Sequence, residues 1–324
     1  MALRADEMID RRRLRRKLTF WRVAAIAIAA IAIAASAGWT MRDSLGGVTA
    51  DHVAKIRIDG TITEDEELLE RLKKVTESAS VKGVILSIDS PGGTTAGGEA
   101  IYEAVRKLAA AKPVVAQVGT LAASAGYMIA SATDHIVARQ SSIVGSIGVL
   151  VQFPNFTGLM EKIGVTLDEV KSSPLKAEPS PFNVTTEDER AMLRKMILDS
   201  YDWFVGLVDE RRPLSRTEVL ALADGSIFTG RQALQNKLID ALGGEEVARG
   251  WLTEKGIDEK LHTVEWKPRG STAGFLLPSA LIESVARLLG LPVESADLLR
   301  ELGGRRIFLD GLVSVWHPEN AGVK

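Results

Sequence analysis

The sequence predicts an α/β fold in which helices cover sheets, carried behind one N-terminal membrane-spanning helix. Two observations carry the prediction. Between residue 51 and about residue 256, runs of strand length and character alternate with longer amphipathic runs of helix length. Ahead of them, residues 23–39 (VAAIAIAAIAIAASAGW) form 17 uncharged residues in a row, at the short end of what spans a bilayer.

The elements follow in order. Arg11, Arg12, Arg13, Arg15, Arg16, Lys17 and Arg22 form a basic cluster before the apolar run, and Trp21 and Trp39 bracket that run as interfacial aromatics do. The basic side is expected to stay in the cytoplasm, which exports everything after Arg42. This predicts a single pass through the inner (cytoplasmic) membrane, with the N-terminus in the cytoplasm and the remainder on the periplasmic side. A cleaved signal peptide is the rival reading, since Ala35-Ser36-Ala37 fits the small-x-small pattern; the length of the apolar run favours an anchor. Residues 53–58 alternate as a strand, and residues 64–78 place Leu68, Leu69, Leu72 and Val75 on one helix face. Residues 83–88 read as a buried strand, 96–111 as a helix and 113–118 as a strand. Residues 122–132 read as a small-residue helix containing Ser124, and 135–138 as a strand. A turn and strand open at 145–149, and helices are expected over 186–211, 217–223 and 229–242. Residues 270–274 look like a linker, followed by short amphipathic helices at 282–289 and 296–302. The division is therefore a basic cytoplasmic segment (1–22), an anchor (23–39), an α/β domain (51–256) and a C-terminal helical appendage of unassigned role (270–324).

Composition excludes several classes. With 40 basic and 42 acidic residues the formal charge is −2, which gives no reason to expect nucleic acid. Cysteine is absent, so there is no disulfide, thiolate nucleophile or cysteine metal site. The four histidines (His52, His135, His262, His317) do not fall at helical metal-ligand spacing, so no metal and no cofactor is expected.

Two segments have the make-up of a catalytic site. Ser90-Pro91-Gly92-Gly93 follows a buried strand, and a Pro-Gly-Gly loop there leaves backbone N–H groups uncovered by side chains. Those groups can bind an extended peptide or hold an oxyanion; an ordinary glycine turn is the plain alternative. Ser124 lies among small residues near the start of its helix, open to an extended backbone and close to the positive end of the helix dipole. It is equally readable as a small residue at a tight helix contact. A nucleophilic serine needs a base, and none of the histidines is well placed in sequence to serve. The other established base is a lysine kept neutral by burial. Lys176, stiffened among Pro174, Pro179 and Pro181, is the candidate, against the bland reading of a solvated loop lysine.

Taken in order, these stretches resemble the signal peptide peptidase A family of membrane-anchored Ser-Lys serine proteases, in its short form. The matching segments are 58–62 (IDGTI), 90–93 (SPGG), 123–127 (ASAGY), 145–149 (GSIGV), 171–176 (KSSPLK), 228–233 (FTGRQA) and 238–243 (LIDALG). The likeness covers about residues 51–250, and Lys176 follows Ser124 by 52 residues (176 − 124). It implies the spiral fold of repeated β-β-α units shared by Clp-type proteases and crotonases. It also implies Ser124 as nucleophile, Lys176 as general base, Ser146 as the hydroxyl that orients the lysine, and the N–H groups of Gly93 and Ala125 as the oxyanion hole. Ser90, Pro91, Gly92 and Gly93 would bind substrate main chain to main chain. The implied substrates are hydrophobic peptides, remnant signal peptides above all, beside the lipid bilayer. The implied assembly is a homo-oligomeric ring, an octamer among its forms, with the dyad shared between neighbours. Two departures stand out: Ala125 occupies a position where the family often has glycine, and Asn236-Lys237 stands where it usually ends a helix with glycine. Crotonase-type acyl-CoA processing, disfavoured by export, and a non-catalytic membrane scaffold are the alternatives.

Overall fold

The computed structural model describes residue 21, residues 50–268 and, as backbone, residues 313–315. The expected anchor at 23–39 and the expected helices at 282–289 and 296–302 lie outside the described residues. Among the described residues no helix is long and apolar enough to cross a membrane. The chain divides into two units, Met1–Ala50 and Asp51–Lys324, and the second carries the fold.

That unit is built on a parallel trio of strands, β1 (His52–Ile62), β2 (Val81–Thr94) and β3 (Val114–Ala123), joined through helices α1 (Glu66–Glu77) and α2 (Thr95–Ala111). Strand alternation puts two sets of side chains on opposite faces. Ala54, Ile56 and Ile58 of β1, Val84, Leu86 and Ile88 of β2, and Val114, Ala116 and Val118 of β3 join one core, with Leu68, Leu72 and Val75 of α1 and Ile101, Val105 and Leu108 of α2. The intervening Val53, Ile85 and Val115 form a second, smaller core with Ala248 and Leu252 of a later helix, α8 (Glu245–Glu254). Each fully buried aliphatic side chain of this kind contributes about 1.5–3 kcal/mol. The α1 face read from the sequence is therefore the one buried, and Asp65 caps the helix by accepting from the Leu68 N–H at 3.0 Å.

Past the trio the sheet forks. Over Val115–Val118, β3 pairs with β4 (His135–Ala138), which leads to β7 (Ala241–Leu242). Over Leu121–Ala123 it pairs instead with β5 (Ile143–Gly145), which pairs antiparallel with β6 (Ile227–Thr229). Strand β8 (Thr263–Glu265) adds to the far side of β1, so the sheet continues past residue 256. Backbone at β9 (Val313–Val315), within the expected appendage, pairs antiparallel with Gly92–Thr94 of β2. Helices α3 (Ala125–Ser131), α4 (Thr157–Ile163), α5 (Glu187–Arg211), α6 (Arg216–Leu222) and α7 (Gly230–Gln235) complete the described set. The result is a mixed α/β sheet of repeated β-α units.

Three readings of the sequence are corrected. Ala122 and Ala123, expected in the nucleophile helix, end β3, because their backbone groups pair with Ser90 and Gly145. Pro91-Gly92-Gly93 is not a turn: it prolongs β2, with Gly92 and Gly93 paired to Thr61 and Ile62. The helix expected over 229–242 stops after Gln235; Lys237 takes a left-handed φ of +58° where a glycine would be at ease, and the chain re-enters the sheet as β7.

Candidate active site

Ser124 stands at the junction of β3 and α3. Its backbone, at φ +56° and ψ −121°, lies in a region that favours glycine. Such strain persists where the surroundings over-determine it, and here they do. The Ser124 N–H donates to Gly145 O at 2.8 Å, its carbonyl accepts from the Met128 N–H at 2.9 Å, and the residue is only 1% exposed. The sharp turn points the start of α3 back toward β2: a Cβ on Gly126 would lie 2.9 Å from Ser90 O. As the first helical residue, Ala125 has an N–H with no intrahelical acceptor.

The 90–93 segment faces this junction. Ser90 is fully buried, its hydroxyl donating to Gly60 O at 2.6 Å and accepting from the Gly92 N–H at 3.1 Å. Ser90 is thus the brace that shapes the segment. Gly92 needs its φ of +107°, and Gly93 leaves no room for a side chain, since a Cβ there would sit 1.7 Å from Ile62 O. Asp89 ties the same strand to β3 by accepting from the Leu121 N–H at 3.1 Å. Directly after, Thr94 caps α2 by accepting from the Gly97 N–H at 3.1 Å.

Ser146 is one residue beyond the Ala123↔Gly145 pair, so it neighbours Ser124 across the ladder. Its φ is +52° and its N–H donates to Ser226 O at 2.7 Å. The structure therefore brings Ser124, Ala125, Gly93 and Ser146 to one end of the sheet. Lys176 lies elsewhere in character: it is exposed, its N–H donates to Ser173 O at 3.1 Å, and among the described residues its ammonium makes no hydrogen bond or ion pair. Its loop is clasped at the base by an ion pair between Lys171 and Glu178. Glu178 also accepts from Asn183 Nδ2 at 3.1 Å and the Ser180 N–H at 2.6 Å. The bond from Lys171, first among these, holds the Glu178 carboxyl below the usual carboxylate range.

Sequence reasoning missed the group that steadies α3. Fully buried Tyr127 donates to Leu238 O at 2.9 Å. The Arg212 guanidinium grips Asp240 bidentately at 2.8 and 3.0 Å and donates to Lys237 O at 2.9 Å. Asp240 in turn accepts from the Ile136 N–H at 2.7 Å. Tyr127 among small and apolar residues was the available signal, since a tyrosine hydroxyl usually finds a hydrogen-bond partner when buried. His135 is taken up in the same region, stacked on Trp251 with ring centroids 5.0 Å apart and 3.8 Å from Asp240, and His52 accepts from Trp266 Nε1 at 3.1 Å. Among the described residues no His, Asp or Glu group could hold a metal.

Comparison with known proteins gives the family. Residues 106–257 match the family model Peptidase family S49, and residues 51–144 match the model Clp protease. A Synechocystis sp. chain named as a protease, slr0021, is 39% identical over 223 residues, 67% of this chain and 80% of that one. A chain named as a signal peptide peptidase, SppA, from Enterococcus faecium is 32% identical over 78% of this chain and 76% of its own length. Protease 4 of Haemophilus influenzae is 33% identical over 77% of this chain, and 44% of its own length is matched. On these likenesses the chain belongs to peptidase family S49 and is a serine endopeptidase.

Proposed function

We propose that the chain is a membrane-anchored endopeptidase that uses Ser124 and Lys176 to cut hydrophobic peptides, remnant signal peptides among them, on the exported side of the cytoplasmic membrane. The observation that carries this reading is Ser124 itself: a buried serine fixed in a strained conformation between β3 and α3, facing backbone that only glycine can form. Unprotonated Lys176 takes the hydroxyl proton as Ser124 attacks a peptide carbonyl. The N–H groups of Gly93 and Ala125 receive the oxyanion, where loss of one donor typically costs about 10²–10³ in rate. Lys176 passes the proton to the leaving amine and then activates water. Ser146, beside Ser124 in the ladder, orients the lysine.

The exposed setting of Lys176 supports a dyad completed between copies. In the same stretch of chain, Phe156, Leu159, Ile163, Val165, Val170 and Val184 present apolar side chains to solvent, with Ile163 63% and Val184 73% exposed. Large exposed apolar surface on a soluble fold marks an interaction site; a ring of copies would cover these side chains and carry Lys176 toward a neighbour's Ser124. The uncharged run at 23–39 behind its basic cluster supports the anchor.

The test is labelling with a fluorophosphonate. Wild type should be labelled and should cleave a Leu/Ala-rich peptide. Ser124→Ala should do neither, and Lys176→Ala should lose cleavage while still assembling. Full turnover by Lys176→Ala removes it as the base, and equal labelling of wild type and Ser124→Ala removes the nucleophile. Alkaline carbonate extraction should leave the full-length chain with the membrane fraction; its release overturns the anchor.

A further inference from the structure

The carbonyl groups at the C-terminal end of α3 fall into two sets. The inner ones are met by side chains of the same segment: Met128 O accepts from Ser131 Oγ at 2.7 Å, and Ala130 O accepts from Thr133 Oγ1 at 2.8 Å. The outer three meet two guanidinium groups from other helices. Arg211, the last residue of α5, donates through Nε to Ser131 O at 3.3 Å and through Nη2 to Thr133 O at 3.2 Å. Arg106 of α2 donates through Nη1 to Ala132 O at 2.7 Å. Among the described residues neither arginine forms an ion pair. Two like charges thus converge on one helix end, where the last carbonyls lack intrahelical donors and the helix dipole favours cations.

At the other end of the helix, Ser124 is held between two supports: its N–H is bonded to Gly145 O of the sheet, and its carbonyl to the Met128 N–H of the helix. Sliding α3 along its axis would therefore alter the turn at φ +56°. The helix's own side chains resist such sliding weakly, because Ala125, Gly126, Ala130 and Ser131 raise no large ridges to lock into a neighbour's grooves. We infer that Arg211 and Arg106 are positioning residues for the reaction: they fix the axial place of α3 and so hold the Ser124 hydroxyl where it attacks. The inference rests on the Ser124 reading above. α3 is a strut roughly 10 Å long, with the arginines at one end and the nucleophile at the other. A misplacement of about 1 Å that originates far from the chemistry can cost about 10² in rate. Arg212, next in the chain, serves the same helix from the side, through the turn whose Leu238 carbonyl accepts from Tyr127.

Peptide kinetics, fluorophosphonate labelling and urea unfolding of the full-length chain in detergent test this. In Arg211→Met, measured well below its melting temperature, kcat and the labelling rate should both fall about tenfold or more, with KM little changed. Arg211→Lys keeps the charge and reaches one carbonyl at a time, so it should recover part of both. Arg106→Gln leaves Arg211 in place and should lower both rates by less; if Arg211→Met does not fold, it carries both comparisons. The second arm needs no activity. Ser124→Gly should unfold at higher urea than Ser124→Ala, because glycine relieves the turn, and adding Arg211→Met to each should narrow that gap. A folded Arg211→Met that keeps its kcat and labelling rate overturns the positioning role, however early it melts. A gap that Arg211→Met leaves unchanged overturns the link from the far end of α3 to the turn. Equal labelling of wild type and Ser124→Ala overturns the nucleophile instead, and the urea arm still reads the link without it.

Discussion

Ser124 pays for its position in backbone strain: a residue with a Cβ held at φ +56°, ψ −121° costs on the order of 1–3 kcal/mol. Ser124→Ala keeps that cost and Ser124→Gly removes it. The glycine variant should therefore unfold at higher urea than the alanine variant, by about 1 kcal/mol, although both are inactive; equal stability of the two would show that the junction is relaxed. Glu178 acts at a distance from the serine. Its carboxylate, with a side chain 3% exposed, closes the loop that carries Lys176. Glu178→Gln weakens the bond from Lys171, so kcat should fall several-fold with KM little changed, and the charge-swapped pair Lys171→Glu/Glu178→Lys should recover part of it. Both effects were only partly legible in the sequence. Ser124 and Lys176 could be singled out by their neighbours, but the strain at 124 arises from the Gly145 and Met128 bonds, and the clasp depends on a loop folding back on itself.

Among the elements, α3 is positioned more by what grips it than by its own seven residues. Tyr127 anchors it to the turn that Arg212 and Asp240 hold closed. Tyr127→Phe leaves the Leu238 carbonyl without its donor, at a cost of about 1–3 kcal/mol read from denaturant unfolding. His135, on β4 beside this group, has its pKa lowered, chiefly by burial, with Arg212 adding to the effect and Asp240 opposing it. The unfolded chain therefore takes up the proton first, at about pH 6.5. Stability from the neutral ring is complete above that pH and is lost as pH falls below it, until the folded form titrates as well. On moving from pH 7.5 to 5.5 the melting midpoint of wild type should drop further than that of His135→Phe; parallel drops would assign the acid sensitivity to other groups. Helices with a clear apolar face, such as α1, and strands with strict alternation, such as β1, were readable because their burial follows a local period. The Pro-Gly-Gly stretch and the two alanines before Ser124 were not, because their place in strands is set by pairing with residues 30 or more positions away, or by a later strand.

For the whole molecule, the apolar surface over residues 150–184 and the exposed Lys176 make one prediction together. Mixing Ser124→Ala with Lys176→Ala chains during assembly should restore peptide cleavage that neither has alone, while Val170→Asp should lower the mass seen in solution and abolish that recovery. Mixed chains that assemble but stay inactive would place both halves of the dyad in one protomer. The α/β class was legible from the alternation of element lengths; the fork of the sheet was not, since β3 exchanges one neighbour for another within a few residues through long-range bonds. The glycine contacts around the site carry a consequence for how such a sequence can drift. A Cβ on Gly93, Gly97 or Gly126 would come within 3.0 Å of backbone atoms, and one on Gly98 would press on Ala125 and Met128 at 3.1 Å. Any change there adds volume where none is free, so the walls nearest the serine can only be filled, never widened. Preference for one peptide over another must then change at positions other than these glycines.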